Sequence, residues 1–277
     1  MSESWRIVAA KPFEGPENMA LDETLLTLVG DGVIPPTLRF YTWHSPWISL
    51  GSAQCAADID VHEARKRGWH ILRRPSGGTA VLHQGQLGYG LVLPTTHPLW
   101  QGDLAASYDR LSQPLAVAFA NLGAHVCLAH PSTSASFTAS SPPLAKRACF
   151  AALGPYEPIA QHRKIVGNSQ VRRKASGLLH GVIQLRGDQR ELAHVFTGVN
   201  PDELNAAAEY LGTHVGSLEP LAGRPLSTGE VAAAITEAYA EVLNVRFDET
   251  ELSDQEQGLA ADLVKTKYGN DEWTYRR

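Results

Sequence analysis

The sequence predicts an α+β protein, with mixed or antiparallel sheets flanked by helices and a set of helices at the C-terminal end. Three observations predict it. Strand-like and helix-like runs follow one another without the regular βαβ alternation of a doubly wound sheet. The strand-like runs are short and bounded by Gly and Pro. Beyond Pro201 the chain becomes alanine- and glutamate-rich with helical spacing.

Pro16-Glu17-Asn18 opens a helix whose apolar positions Leu21, Leu25, Leu28 and Val29 share one face, and Gly30 and Gly32 end it. Pro35-Pro36 then turns the chain into strands at 37–43 and 47–50. A short helix over 60–67 closes at Gly68, and a strand over 69–73 leads to a tight turn at Pro75-Ser76-Gly77-Gly78. Strands at 79–82 and 87–93 follow, then a helix over 104–122 carrying Leu111, Leu115, Phe119 and Leu122. After a strand at 124–128, the small polar residues of 131–143 read as a mobile loop delivering the chain to Cys149. Runs 164–172 and 177–185 predict a hairpin; 201–210, 227–243 and 254–268 predict helices. A length of 277 residues suits one domain, with 201–277 as a helical extension within it.

A net charge of −5 and a pI near 6.1 argue against a nucleic-acid binder. Basic clusters at 65–67, 73–74, 146–147, 163–164 and 172–174 leave room for an acidic protein partner. Three cysteines without a Cys-x-x-Cys pair give no disulfide set and no zinc framework; no metal site is expected. With no signal-peptide core and no apolar run near the ~20 residues that cross a bilayer, the expectation is a soluble, cytoplasmic protein without membrane contact.

Cys149 lies just after Lys146-Arg147 and fifteen residues before Lys164. A free thiol has a pKa of about 8.5, and a neighbouring lysine lowers it, giving a thiolate able to carry an acyl group. The ordinary reading of a cysteine is inert buried filling, which is the expectation for Cys55 and Cys127. In the run 73–83, RRPSGGTAVLH, the paired Gly77 and Gly78 allow backbone amides to converge on an oxyanion, and Arg74 and Ser76 add donors. A plain hairpin turn is the alternative there, and His83 suits a hydrogen-bonded structural role. Lys164 begins an alternating run to Gln170, so its side chain has a defined direction unless it is an exposed strand end.

RRPSGGTAVLH, HRKIVGNSQ (162–170) and LLHGVIQL (178–185) together resemble the biotin/lipoate protein ligase superfamily. NMALDETLL (18–26), the stretch 35–54 and the closing KYGNDEWTYRR (267–277) fit it as well, so the resemblance covers most of the chain in order. Within the superfamily, Ala148-Cys149-Phe150 before the lysine strand looks like the cysteine octanoyltransferases of the LipM type. Thr79 and Gln161-His162-Arg163 depart from the family pattern.

The resemblance implies a ligase-like catalytic fold and transfer of an octanoyl group from octanoyl-acyl carrier protein to a lysine of a lipoyl carrier. That carrier would be the glycine cleavage H protein or another lipoyl domain. Cys149 would form the acyl-enzyme, and Lys164 would hold the thiolate and bind the developing oxyanion. Arg74, Ser76, Gly77, Gly78, His83, Gly167, Ser169 and His180 would form the acyl site, with Val81, Leu91 and Val166 lining the slot. Arg172-Arg173-Lys174 is the expected docking patch, and no cofactor is expected. Three other readings remain: an ATP- and Mg-dependent lipoate or octanoate ligase, a non-catalytic carrier-binding paralogue, and a papain-like hydrolase, which would want a histidine beside Cys149.

Overall fold

A computed structural model describes residues 2–198 and 200–277. Its centre is a mixed six-stranded sheet in the order β10-β11-β6-β2-β1-β12. These strands are β1 (Glu3–Phe13), β2 (Thr37–Trp43), β6 (Gln86–Pro94), β10 (Val166–Arg172), β11 (Ser176–Gln184) and β12 (Val245–Glu249). β1 pairs in parallel with β2 and β12, and the other neighbours are antiparallel. A second sheet of three strands orders β4 (His70–Arg73), β3 (Trp47–Leu50) and β5 (Val81–His83). A third joins β7 (Cys127–Leu128), β8 (Pro158–Ala160) and β9 (Arg163–Lys164).

Strand alternation gives the large sheet two different faces. Leu38, Phe40, Leu91, Leu179, Ile183 and Val166 point to one side and form the main core. Helices α3 (Leu104–Asn121) and α7 (Thr228–Leu243) close that core with Leu111, Leu115, Val231 and Ile235, and Tyr239 on α7 donates to the Leu111 carbonyl at 2.7 Å. The other side carries Arg39, Tyr41, Gly88, Gly90, His180 and Val182, paired across the strands. Helix α1 (Gly15–Gly30) lies on this second face. Its N-terminus has a reciprocal Glu14–Glu17 capping box, and its buried Asn18 and Asp22 meet Arg39 there. Helix α8 (Asp254–Leu263) packs outside α1. Among the described residues, no helix is long and apolar enough to cross a membrane.

The structure departs from the sequence expectations in five places. The 131–143 stretch contains a helix, α4 (Pro131–Ser140), because the His130 side chain caps its N-terminus and Pro131 sits in the first turn. The 201–277 extension includes β12, which completes the large sheet beside β1. The lysine run breaks at Ile165, with Lys164 in the third sheet and Val166 in the first. The strand expected over 124–128 shortens to β7. Cys55 and Cys127 are exposed rather than buried, one beside a short 3-10 turn and the other on a two-residue strand.

Candidate active site

Cys149 is half-buried in a short 3-10 turn, and its neighbours Ala148 and Phe150 are wholly buried anchors. Its amide donates to the Ala80 carbonyl at 2.8 Å, which ties the turn to the strand leading into β5. Across from it lies the glycine turn. Gly78 has φ +88°, and a Cβ there would sit 2.8 Å from the Arg74 guanidinium and 3.8 Å from the Cys149 sulfur. A Cβ on Gly51 would lie 1.7 Å from the Gly78 carbonyl oxygen, so both positions require glycine.

Arg74 fastens this turn. Nη2 donates to the Gly77 and Thr79 carbonyls at 2.7 and 2.9 Å, and Nη1 to the Ser49 carbonyl at 2.9 Å. Burial pulls its pKa below the usual arginine value, while the Cys149 thiolate pulls the other way. The turn's carbonyls are thereby turned toward the protein. Among the described residues, no acceptor takes the amide hydrogens of Gly77, Gly78 or Thr79. Of these residues, Gly78 and Thr79 line a pocket with Cys149. Arg74 itself braces the turn and has no donor on Nη1 or Nη2 left over for an acyl ligand.

Lys164 is 2% exposed, and Nζ pairs with Glu157 Oε2 at 2.7 Å. It also donates to the Ala152 and Cys149 carbonyls at 2.8 and 3.3 Å. Burial pushes its pKa down, but the charges of Glu157 and of a Cys149 thiolate outweigh this and hold it above the usual lysine value. Its three hydrogens are committed, which changes the expected role. Lys164 supplies positive charge beside Cys149 and fastens the 149–152 turn. Glu157 is itself fixed by the amides of Gly154 and Asn168 at 2.7 and 3.0 Å.

Two cavities meet at Cys149. One is a crevice of about 30 Å³ between the first and second sheets, the other an open pocket of about 510 Å³ bounded by Gly78, Tyr108, Glu157, Lys164 and Asn168. Arg74, His83, Gly167, Ser169 and His180 line the crevice, and Gly78 lines the outer pocket, whereas Ser76 and Gly77 line neither. Ser76 Oγ is instead bonded to His180 Nε2 at 2.5 Å, and His180 Nδ1 to Asp22 at 3.0 Å. Asp22 in turn pairs with Arg39 at 2.7 Å, so a buried polar chain runs from α1 to the glycine turn. Val81 lines the crevice, but Leu91 and Val166 are in the core on the opposite face, one residue out of phase. The Arg172–Lys174 patch is partly spent inside the molecule: Arg172 donates to Ser107 and Gln170, and Arg173 pairs with Glu23.

His83 behaves as a structural group. Its Nδ1 donates to Gln86 Oε1 at 3.2 Å, its Nε2 is bonded to the Ser49 hydroxyl at 2.7 Å, and it stacks on Trp43 at 3.8 Å. Burial first, and the Arg74 charge second, hold its pKa well below 6.5. The unfolded chain takes up this proton near pH 6.5 and the folded chain does not, so the stability it contributes is present above that pH and lost below it. The thermal midpoint should therefore fall between pH 7.5 and 5.5, at up to about 1.4 kcal/mol per pH unit. His83→Gln should flatten that slope, and an unchanged slope would remove His83 as its source.

Glu157, Asp22, Asn168 and Met19 escaped the sequence reading. Glu157 had a signal: a tight turn at Gln161-His162, both with positive φ, folds β8 onto β9 and carries Glu157 back to Lys164. Asn18 and Asp22, four residues apart on a helix, marked a polar stripe facing inward.

The lipoyl protein ligase A/B catalytic domain model matches residues 14–240. The chain is 34% identical over 275 residues to octanoyltransferase LipM of Carboxydothermus hydrogenoformans, covering 99% of each. It is 33% identical over 276 residues to octanoyltransferase LipM of Kyrpidia tusciae, covering 99% of this chain and 100% of that one. The bipartite lipoate protein ligase of Thermoplasma acidophilum, solved with its E2 lipoyl domain, shares the fold at a TM-score of 0.80 and 20% identity, over 99% of this chain and 97% of that one. A family model over most of the chain and full-length relatives above 30% identity agree with the geometry around Cys149: the chain belongs to the lipoyl protein ligase A/B catalytic domain family.

Proposed function

We propose that this chain, an octanoyltransferase like its full-length relatives, works in the cytoplasm as a cysteine relay between an acyl carrier protein and a lipoyl domain. One observation carries the reading: Cys149 stands where a narrow crevice meets a wider pocket, beside a buried ammonium group. The crevice suits the acyl tail and the pocket suits the arm that brings or removes it.

In the first step the Cys149 thiolate attacks the carrier thioester carbonyl. A new C–S bond forms, the carrier thiolate leaves, and the Gly78 and Thr79 amides receive the transient oxyanion. In the second, the acceptor lysine amine attacks the Cys149 thioester, the amide forms, Cys149 leaves as a thiolate and the amine proton passes to solvent. Exchange of one thioester for another is nearly even in free energy, and thioester to amide runs downhill. The relay therefore calls for neither ATP nor a metal ion. The H protein and other lipoyl domains are the acceptors this chemistry fits. A lipoyl domain accompanies the Thermoplasma acidophilum ligase, which supports that class of partner.

The test is to incubate the protein with octanoyl-acyl carrier protein in the absence of ATP and look by mass spectrometry for octanoyl on Cys149. Adding a lipoyl domain should clear the adduct and acylate the domain. Modification that appears only with free octanoate and ATP, with no adduct on Cys149, would replace the relay with a ligase.

A further inference from the structure

We infer that Met19 is the yielding plug beside Tyr41 in the acyl crevice and sets the length of chain the enzyme accepts. The proposal takes its ligand class from the acyl-relay reading and its geometry from the crevice itself.

The crevice runs across the strands. Gly167 on β10 faces Val182 on β11, Val182 faces Gly88 on β6, and Gly88 faces Tyr41 on β2. The Tyr41 ring lies over Gly88, so two strand spacings of about 4.8 Å put it about 10 Å from Gly167. With C–C bonds of about 1.5 Å, an extended eight-carbon acyl group reaches about 9 Å. That brings its tip to the Tyr41 ring and to Met19 beside it.

As it stands the crevice, at about 30 Å³, has room for a water or two. An acyl tail enters only if a lining side chain gives way. Most are pinned: Arg74 by the turn carbonyls, His83 by Ser49 and Gln86, and His180 by Ser76 and Asp22. The Tyr41 ring is wedged against Gly88, where a Cβ would lie 2.3 Å from it, and Arg39 covers it at 4.4 Å. Val81 and Val182 are β-branched and stiff. Met19 lines the crevice with no polar tie, packs against Tyr41 and Leu72, and has an unbranched thioether with three rotatable bonds. It is the side chain whose displacement opens the far end.

Two measurements test this. Saturated fatty acids of six to twelve carbons are titrated calorimetrically into Cys149→Ser protein carrying Met19, Met19→Val, Met19→Phe or Met19→Leu. In parallel, acylation of Cys149 by acyl thioesters of the same lengths is followed by mass spectrometry in the Cys149 forms. Each buried methylene is worth roughly fourfold in affinity, so Met19→Val should raise the ten- to eight-carbon preference about tenfold. Met19→Phe should move the optimum to six carbons, and Met19→Leu, similar in volume and sure to fold, should leave it in place. One length optimum shared by all four proteins, or no length dependence in any folded form, overturns the proposal. Length-dependent binding that shifts with Met19 while no thioester ever forms on Cys149 sinks the relay and leaves the plug standing.

Discussion

Replacing Cys149 with serine is expected to lower octanoyl transfer on the order of 10⁴-fold or more while leaving the fold intact. The two halves of that statement come from different parts of the structure. Ala148 and Phe150 are wholly buried and hold the turn, whereas the Cys149 side chain is only half-buried, so exchanging sulfur for oxygen disturbs little packing. The chemistry changes far more. A serine hydroxyl is a weak nucleophile unless an adjacent base activates it, whereas a cysteine is intrinsically far more nucleophilic. The measurement is the initial rate of lipoyl-domain acylation, with the thermal midpoint as a control. Cys55→Ala and Cys127→Ala, both at exposed positions, should retain the full rate. A Cys149→Ser enzyme keeping a tenth of the wild-type rate would mean that the acyl group travels by another route.

Much of this site was legible in the sequence because its parts use residues with few alternatives. The glycine pair reads as a turn since only glycine tolerates φ +88° at Gly78 and the close approach of Gly51 to its carbonyl. Strands β2 and β3 were legible to the residue because proline-containing turns bound them and their apolar positions alternate. Strand periodicity, however, has two phases, and it does not say which one faces the site. Leu91 and Val166 were assigned to the acyl slot on their apolar character, yet both point into the core, out of phase with residues such as Gly167 that line the crevice. The strand β12 was hidden because an edge strand tolerates charge, and Arg246, Asp248 and Glu249 make it look like a loop. Helix α4 was hidden for the opposite reason: its serines and threonines are weak helix formers, held by packing and by the Ser134 and Thr138 contacts to the 153–154 backbone.

Removing Glu157 should be the most damaging single change to stability among the site residues. Glu157 and Lys164 are 5% and 2% exposed at their side chains, so Glu157→Gln strands an ammonium group in the interior without its counter-ion. Breaking such a pair from one side costs about 3–5 kcal/mol, a fall of roughly 10 °C or more in thermal midpoint for a chain of this size. Lys164→Met strands the carboxylate instead, although the Gly154 and Asn168 amides still hold it, so its loss should be the smaller. The double variant Glu157→Gln/Lys164→Met leaves no buried charge and should recover most of the lost stability, a coupling that the single variants alone cannot produce. Transfer should not recover, because the positive charge beside Cys149 is gone. The pH dependence has a defined sign. The Lys164 pKa is raised in the folded state, so its contribution is complete below about pH 10.4, the unfolded value, and is lost as pH rises through the folded one. Wild-type protein should therefore lose midpoint above that pH more steeply than the double variant. A double variant that regained both stability and transfer would reduce Lys164 to a structural tie for the 149–152 turn.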